Sequence, residues 1–286
     1  EGRDRSVLDA IAEAARSVDG VKLLDVDPGA STNRTVFTFA GDPDSVVEAA
    51  VRAAKAGTER IDMRRHTGEH PRFGALDVCP LVPISGMSMD ETVVLARKLG
   101  ARLAEEVGLT IYLYGYAASL PERADLSVVR AGEYEGLEAK LRDPAWAPDY
   151  GPANFNSTSG ATAVSARDIL VAYNINLNTT SVRRANSVAF DVREKGRVKR
   201  LGDPINGEIV KDADGNPVSE PGALKHVKAI GWFIEEYGFA QVSMNLTNIR
   251  ETPVHVAFDT TCDKAHARGI RVTGSELVGL IPLGCL

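Results

Sequence analysis

The sequence predicts an α+β protein made of two split-βαβ halves, each a mixed or antiparallel sheet with helices packed on it. Two observations support this. Segments with apolar residues at three- and four-residue steps are interleaved with segments of alternating or β-branched character. Beyond residue 165 these segments follow the order β-α-β-β-α-β, and before residue 120 the same order recurs without its first strand, followed by an extra helix and strand. A chain of 286 residues with 44% apolar and 25% charged side chains can bury a core and suits about two domains. A Pro-rich stretch at 120–160 reads as the connection, giving expected domains at 1–150 and 151–286.

The first helix is expected from Val7, Leu8, Ile11, Ala12, Ala15 and Val18, closing at Asp19 and Gly20. Residues 21–27 and 33–40 read as paired strands with a turn at Pro28 and Gly29. Asp42 and Pro43 start a second helix, because Asp offers an acceptor to free N–H groups and Pro at the first position has no donor to waste. A polar loop at 60–72 leads to a strand at 74–82. Ser88 and Glu91 then form a capping box for a helix reaching residue 107, followed by a buried strand at 109–114. A short helix is expected at 133–141. The second half reads as strand 169–177, helix 180–195, strands 225–234 and 240–246, helix 253–268 and strand 270–280. A Gly-, Asp- and Asn-rich insert at 196–222 interrupts it.

A net charge of −6 disfavours nucleic acid or an anionic membrane as partner. No run approaches a membrane span, and the N-terminal residues hold no apolar signal region. Cys79, Cys262 and Cys285 are odd in number and far apart, which predicts no disulfide framework and favours a soluble, cytoplasmic setting. Dinucleotide and P-loop glycine patterns are absent. Ser88 reads as a helix cap, not as a nucleophile.

The densest polar run is Arg64-Arg65-His66-Thr67-Gly68-Glu69-His70-Pro71-Arg72. His66-x-x-Glu69-His70 matches a zinc-protease spacing, but that chemistry needs both histidines on one helical face, and Gly68 and Pro71 oppose a helix. The plain alternative is a solvated basic loop. Against it stands the concentration of His, Glu and Arg in a loop running into a buried strand.

The runs Ser31-Thr32-Asn33-Arg34-Thr35-Val36, Gly68-Glu69-His70-Pro71-Arg72-Phe73-Gly74-Ala75-Leu76-Asp77-Val78-Cys79-Pro80 and Arg130-Ala131-Gly132-Glu133-Tyr134-Glu135 carry a specific resemblance. It continues through Pro148-Asp149-Tyr150-Gly151-Pro152, Ala172-Tyr173-Asn174-Ile175-Asn176-Leu177 and Gly274-Ser275-Glu276-Leu277-Val278-Gly279. In these runs the chain resembles the formiminotransferase domain of the glutamate formimidoyltransferase family. The resemblance implies two ferredoxin-like subdomains with the ligand between them, and transfer of a formimino group between tetrahydrofolate and L-glutamate in histidine breakdown. Tetrahydrofolate would be the co-substrate, formiminoglutamate or L-glutamate the partner, and no metal would be needed. It further implies a homodimer, a strand preceding Glu1 and a helix following the last residue. His70 falls at the family's catalytic histidine. Gly151, Pro152, Ala153, Asn154, Phe155, Asn156, Ser157, Thr158, Ser159 and Gly160 fall on its folate-binding stretch.

The residues themselves suit that chemistry. A histidine can take a proton from an attacking amine and return it to a leaving nitrogen, with Glu69 or another carboxylate orienting the ring. Asn33, Arg34 and Arg72 are candidate substrate ligands, the two arginines for carboxylates. Asp27 could face a cationic amidine. Arg167 opens a strand, and Asn174 and Asn176 share one face of it as a polar wall. Phe155 could stack on the folate ring. Other readings are formyl transfer by the same pocket, a non-catalytic folate- or amino-acid-binding module, and a metal hydrolase using His66 and His70.

Overall fold

A computed structural model describes residues 1–203 and 206–285. Two residues of the 196–222 insert, at 204 and 205, and the last residue, 286, lie outside the described residues. The chain divides into two compact units, Glu1–Asp168 and Ile169–Leu286. The division falls later than the expected 150/151, because residues 161–166 form a strand of the first unit.

In the first unit, helix α1 (Arg5–Arg16) begins at Asp4, whose carboxylate accepts from the Ser6 and Val7 amides. Its buried face is Leu8, Ile11, Ala12 and Ala15. Strands β1 (Val21–Gly29) and β2 (Arg34–Gly41) form an antiparallel two-stranded sheet. The expected turn at Pro28 and Gly29 is instead strand, with Pro28 opposite Thr35, and the chain reverses over residues 30–33. Helix α2 (Pro43–Thr58) follows. Strand β3 (Val78–Leu81) leads to α3 (Met89–Val107), where the Ser88–Glu91 capping box is formed as the sequence predicts. Strand β4 (Thr110–Gly115), the short helix α4 (Leu126–Val129), α5 (Glu133–Leu141) and β5 (Ala161–Ala166) complete the unit. The strands β3, β5 and β4 form a parallel sheet in that order.

The strands of the first half therefore fall into two sheets, not one. The parallel sheet is buried on both faces. On one, α2 and α3 cover Ile111, Leu113, Val164 and Ala166; on the other, Tyr112, Tyr114, Ala161 and Ala163 pack with Phe73, Val129 and Leu137. Strand β5 has no exposed position, so no polar residue marks a solvent face in its sequence.

The second unit contains β6 (Val171–Leu177), α6 (Val182–Val192), the two-residue strands β7 (Arg197–Val198) and β8 (Ser219–Glu220), β9 (Val227–Ile234), β10 (Phe239–Leu246), α7 (Val254–His266) and β11 (Val272–Val278). Its antiparallel sheet runs β11-β6-β10-β9, with the expected β-α-β-β-α-β order along the chain. Val171, Tyr173, Ile175 and Leu177 face the helices, so the alternation of strand side chains puts Asn174 and Asn176 on the other face. Strands β7 and β8 pair at the base of the insert.

One buried ion pair ties the first unit's connecting segment to its sheet. Arg123 and Asp149 side chains are only 4% and 8% exposed and meet at 3.2 Å. Asp149 also accepts from the Leu113 amide at 2.8 Å, and Arg123 donates to the Ala145 and Ala147 carbonyls. The guanidinium lies 5.4 Å from both the Tyr112 and Trp146 ring centroids. Removing one partner leaves the other charge buried without its complement. Arg123→Met should lower the unfolding free energy by about 3 kcal/mol, read from the urea midpoint at unchanged slope; a loss under about 1 kcal/mol would mean the pair is solvated.

Candidate active site

The polar loop is fastened to the β1–β2 turn. That turn ends at Asn33, whose φ of 48° is a left-handed conformation that asparagine tolerates better than most residues. Asn33 is 5% exposed. Its Nδ2 donates to the Thr67 carbonyl at 2.8 Å, and its Oδ1 accepts from the Gly2 amide at 2.9 Å. Its own carbonyl accepts from His66 Nε2 at 2.7 Å. The Glu69 amide donates to the Ser31 carbonyl at 3.1 Å. Gly68 approaches so closely that a Cβ would collide with the Thr32 carbonyl oxygen. Both ends of the Asn33 amide are thus engaged in scaffolding.

Next to this anchor, Arg34 opens β2 and its Nη1 lies 3.1 Å from His70 Nε2. A guanidinium has donors and no acceptor, so Arg34 donates and Nε2 presents its lone pair. The proton of the neutral ring therefore sits on Nδ1, the atom left to bond the Pro71 carbonyl, which favours the charged form. Burial, then the charges of Arg34 and Arg130, outweigh that bond and bring the His70 pKa down to about 3. Glu69 is exposed, and the ring meets Arg34 and the Pro71 carbonyl.

Arg130 comes from the end of α4 and donates from Nη1 to Asp77 Oδ2 at 2.6 Å. Asp77 Oδ1 accepts from the Phe73 amide at 2.8 Å. Burial pushes the Asp77 carboxyl up, and Arg130 opposes the shift. Arg72 reaches Glu135, with Nη2 2.5 Å from Oε1, and lies 5.8 Å from the Tyr134 ring centroid. The Nε atoms of Arg72 and Arg130 are buried with no hydrogen-bond partner among the described residues. Orphaned buried donors of this kind suit an incoming acceptor.

The 151–160 stretch packs on the same loop. The Met63 amide donates to the Thr158 carbonyl at 2.9 Å, the Ala75 amide to the Ser159 carbonyl at 2.9 Å, and Gly74 bridges Gly160. Gly160, at φ 66°, leaves no room for a Cβ against the Phe73 carbonyl. Asn156 Oδ1 accepts from Thr158 Oγ1 at 2.7 Å and from the Thr158 and Ser159 amides. Phe155 stands against Tyr134 with centroids 5.5 Å apart. Ser159 Oγ is buried without a hydrogen-bond partner among the described residues.

Asp27 lies on β1 opposite Val36, along the ladder from the Gly29–Arg34 pair. Arg167 follows β5 and hydrogen-bonds the buried Tyr114 phenol; burial raises that phenol, which Arg167 and Arg130 both counter. Asn174 belongs to the second unit. It is 4% exposed, and its Nδ2 donates to Glu276 Oε2 at 2.9 Å. Tyr237 and Gln241 also bond Glu276, and Gln241 receives the Trp232 indole N–H.

The fold thus brings together Asn33, Arg34, His70, Arg72 and the 151–160 stretch. The sequence reading missed Asp77 and Arg130, which lie within the quoted motifs but far apart in the chain, and the Glu276 network. Among the described residues no group of three or more His, Cys, Asp or Glu side chains is arranged to hold a metal ion. No described helix is long and apolar enough to cross a membrane.

Residues 1–167 match the N-terminal subdomain of the formiminotransferase domain, and residues 172–286 match the formiminotransferase domain. The chain is 48% identical over 283 residues to a formimidoyltransferase-cyclodeaminase of Dictyostelium discoideum, covering 99% of this chain and 49% of that protein. It is 48% identical over 286 residues to the Sus scrofa protein of the same name, covering 100% and 49%. It is 40% identical over 286 residues to a glutamate formimidoyltransferase of Streptococcus pyogenes serotype M1, covering 100% of this chain and 87% of that one. The chain therefore spans about half the length of the first two relatives.

Asn33→Ala should free residues 66–70 from the turn. Hydrogen exchange at the Glu69 amide should then quicken at least about tenfold, equivalent to about 1.4 kcal/mol of local opening. Unchanged protection would show that the loop holds without Asn33.

Proposed function

The chain belongs to the formiminotransferase domain family, and from that premise we propose that it transfers a formimino group between L-glutamate and tetrahydrofolate, with His70 carrying the proton. The observation that carries the proposal is a neutral imidazole with its Nε2 lone pair directed into a group of arginines. Glutamate, formiminoglutamate and the folate tail are carboxylates, and guanidinium forks match carboxylates.

The reaction asks little beyond position and one mobile proton. A folate nitrogen attacks the amidine carbon of formiminoglutamate, a C–N bond forms, and the nitrogen's proton passes to Nε2. The imidazolium then returns that proton to the glutamate nitrogen as its bond to the same carbon breaks. One proton enters and one leaves, and the reverse direction uses the same steps. A metal has no part in this scheme.

Arg34, Arg72 and Arg167 are proposed to bind the carboxylates, and Asp27 to face the cationic amidine. The backbone of Gly151 to Gly160 is proposed to line the folate, with Phe155 on a ring face and Ser159 Oγ as a donor. The orphaned Ser159 Oγ and Arg72 Nε support that assignment. Asn174 is proposed as part of a polar wall held by Glu276. The proposal includes a cytoplasmic setting, favoured by the scattered cysteines, and a homodimer, on the strength of the family resemblance alone.

The test is a paired assay with formiminoglutamate and formylglutamate as donors to tetrahydrofolate. Formiminoglutamate should be consumed and formylglutamate left; the opposite preference would make this a formyltransferase, and turnover of neither would leave a binding module. His70→Ala should lower kcat by about 10²–10⁴-fold while folate affinity stays nearly intact. Wild-type turnover in that variant would remove His70 from the mechanism.

A further inference from the structure

We propose that Arg34 is a positioning residue that masks the His70 base until a substrate carboxylate draws its guanidinium away, so that binding of the dicarboxylate switches the base on. This rests on the transferase reading above, and it adds a coupling between substrate charge and base strength. The geometry is the starting point. Nε2 is the only ring atom that can accept a proton in the neutral tautomer, and it is occupied by Arg34 Nη1 at 3.1 Å. An arginine cannot pass its own proton on at neutral pH, so in this arrangement the lone pair is blocked.

The charges around the ring reinforce the block. Arg34 from β2 and Arg130 from the end of α4 both disfavour an imidazolium; Asp77 already accepts from Arg130 Nη1. The charged groups that oppose protonation are these two cations, and Asp77, which interacts with both, is bonded to Arg130. The Pro71 carbonyl favours the charged ring. A free base in this state would resist taking up a proton from an attacking amine.

A substrate carboxylate changes both terms at once. It offers two oxygens in the plane of the guanidinium, a better partner for Arg34 than one imidazole nitrogen. As the fork turns to it, Nε2 loses its donor, and the charge of Arg34 is neutralised within a few ångströms of the ring. The pKa of the ring then rises toward neutrality. Water entering without substrate brings no such charge, so the base stays masked and idle.

The test reads protonation directly and needs no turnover. Protein carrying ¹⁵N-histidine is titrated by NMR from pH 4 to 8, with the His70 signals assigned among the five histidines by their loss in His70→Asn. The probe is glutarate, which has the carboxylates of glutamate without the reactive nitrogen; glutaramide, the uncharged diamide, is the control. In free protein His70 should stay in the Nδ1–H neutral form across the range. Saturating glutarate should raise its pKa by about 1–3 pH units, and glutaramide should not. Arg34→Gln should show a raised pKa without ligand and no response to glutarate, whereas Arg34→Lys should keep the low pKa.

No change with glutarate in the wild type, or an Arg34→Gln titration identical to wild type, overturns the coupling. A wild type that responds to glutarate yet fails the donor assay refutes the transferase reading and leaves the coupling standing. A wild type that turns over formiminoglutamate with an unresponsive His70 refutes the coupling alone.

Discussion

The fastening of residues 66–70 to the β1–β2 turn is the constraint on which the site depends. Asn33 accepts a left-handed backbone and then bonds outward in several directions: to the Thr67 carbonyl, to the Gly2 amide and, through its own carbonyl, to His66. Gly68 is small enough to lie against Thr32. These contacts set His70 beside Arg34, which would otherwise be two residues on separate elements with no reason to meet. The scaffold histidine and the candidate catalytic histidine are thereby distinguished. His66 uses its Nε2–H on a backbone carbonyl, and His70 keeps Nε2 as an acceptor.

Charge then decides what the site is suited to bind. A neutral imidazole among Arg34 and Arg130, with Asp77 paired to Arg130, is a place short of negative charge. Buried guanidinium nitrogens on Arg72 and Arg130 lack partners among the described residues. An anionic ligand would satisfy the field and the donors together, which is the electrostatic preorganisation expected where charge must be received. Strand β5 and the turn at Gly160 hold the 151–160 stretch against the same loop, so its backbone is placed by the parallel sheet of the first unit.

Much of this was legible in the sequence because local chemistry decides it. Ser88 and Glu91 announce the start of α3 and Pro43 that of α2, although the Asp42 side chain makes no cap hydrogen bond there, and the β-α-β-β-α-β order of the second unit follows from its periodicities. Strand β5 was not legible: its six residues are all buried and half of them alanine, so Thr162 and Val164 stand among small side chains with no polar-apolar alternation to mark a strand. Its absence from the reading hid the parallel sheet and shifted the division between units. Pro28 and Gly29 promised a turn, yet the strand ladder continues through them and Asn33 takes the left-handed position. In the candidate site, His70, Arg34 and Arg72 were singled out from residue type and resemblance. Asp77 and Arg130 were not, since an ion pair between distant segments leaves no spacing to read, and the tautomer of His70 exists only once Arg34 is beside it.

The central claim is that a one-carbon unit moves from a glutamate nitrogen to a folate nitrogen at His70. The most direct measurement mixes the protein, in excess, with formiminoglutamate ¹³C-labelled at the formimino carbon and with tetrahydrofolate, and follows the label by NMR through a single turnover. The account predicts that the label leaves glutamate and appears on the folate with the wild type, and stays on glutamate with His70→Ala. Label that remains on glutamate with the wild type, or that moves equally fast with His70→Ala, would contradict it.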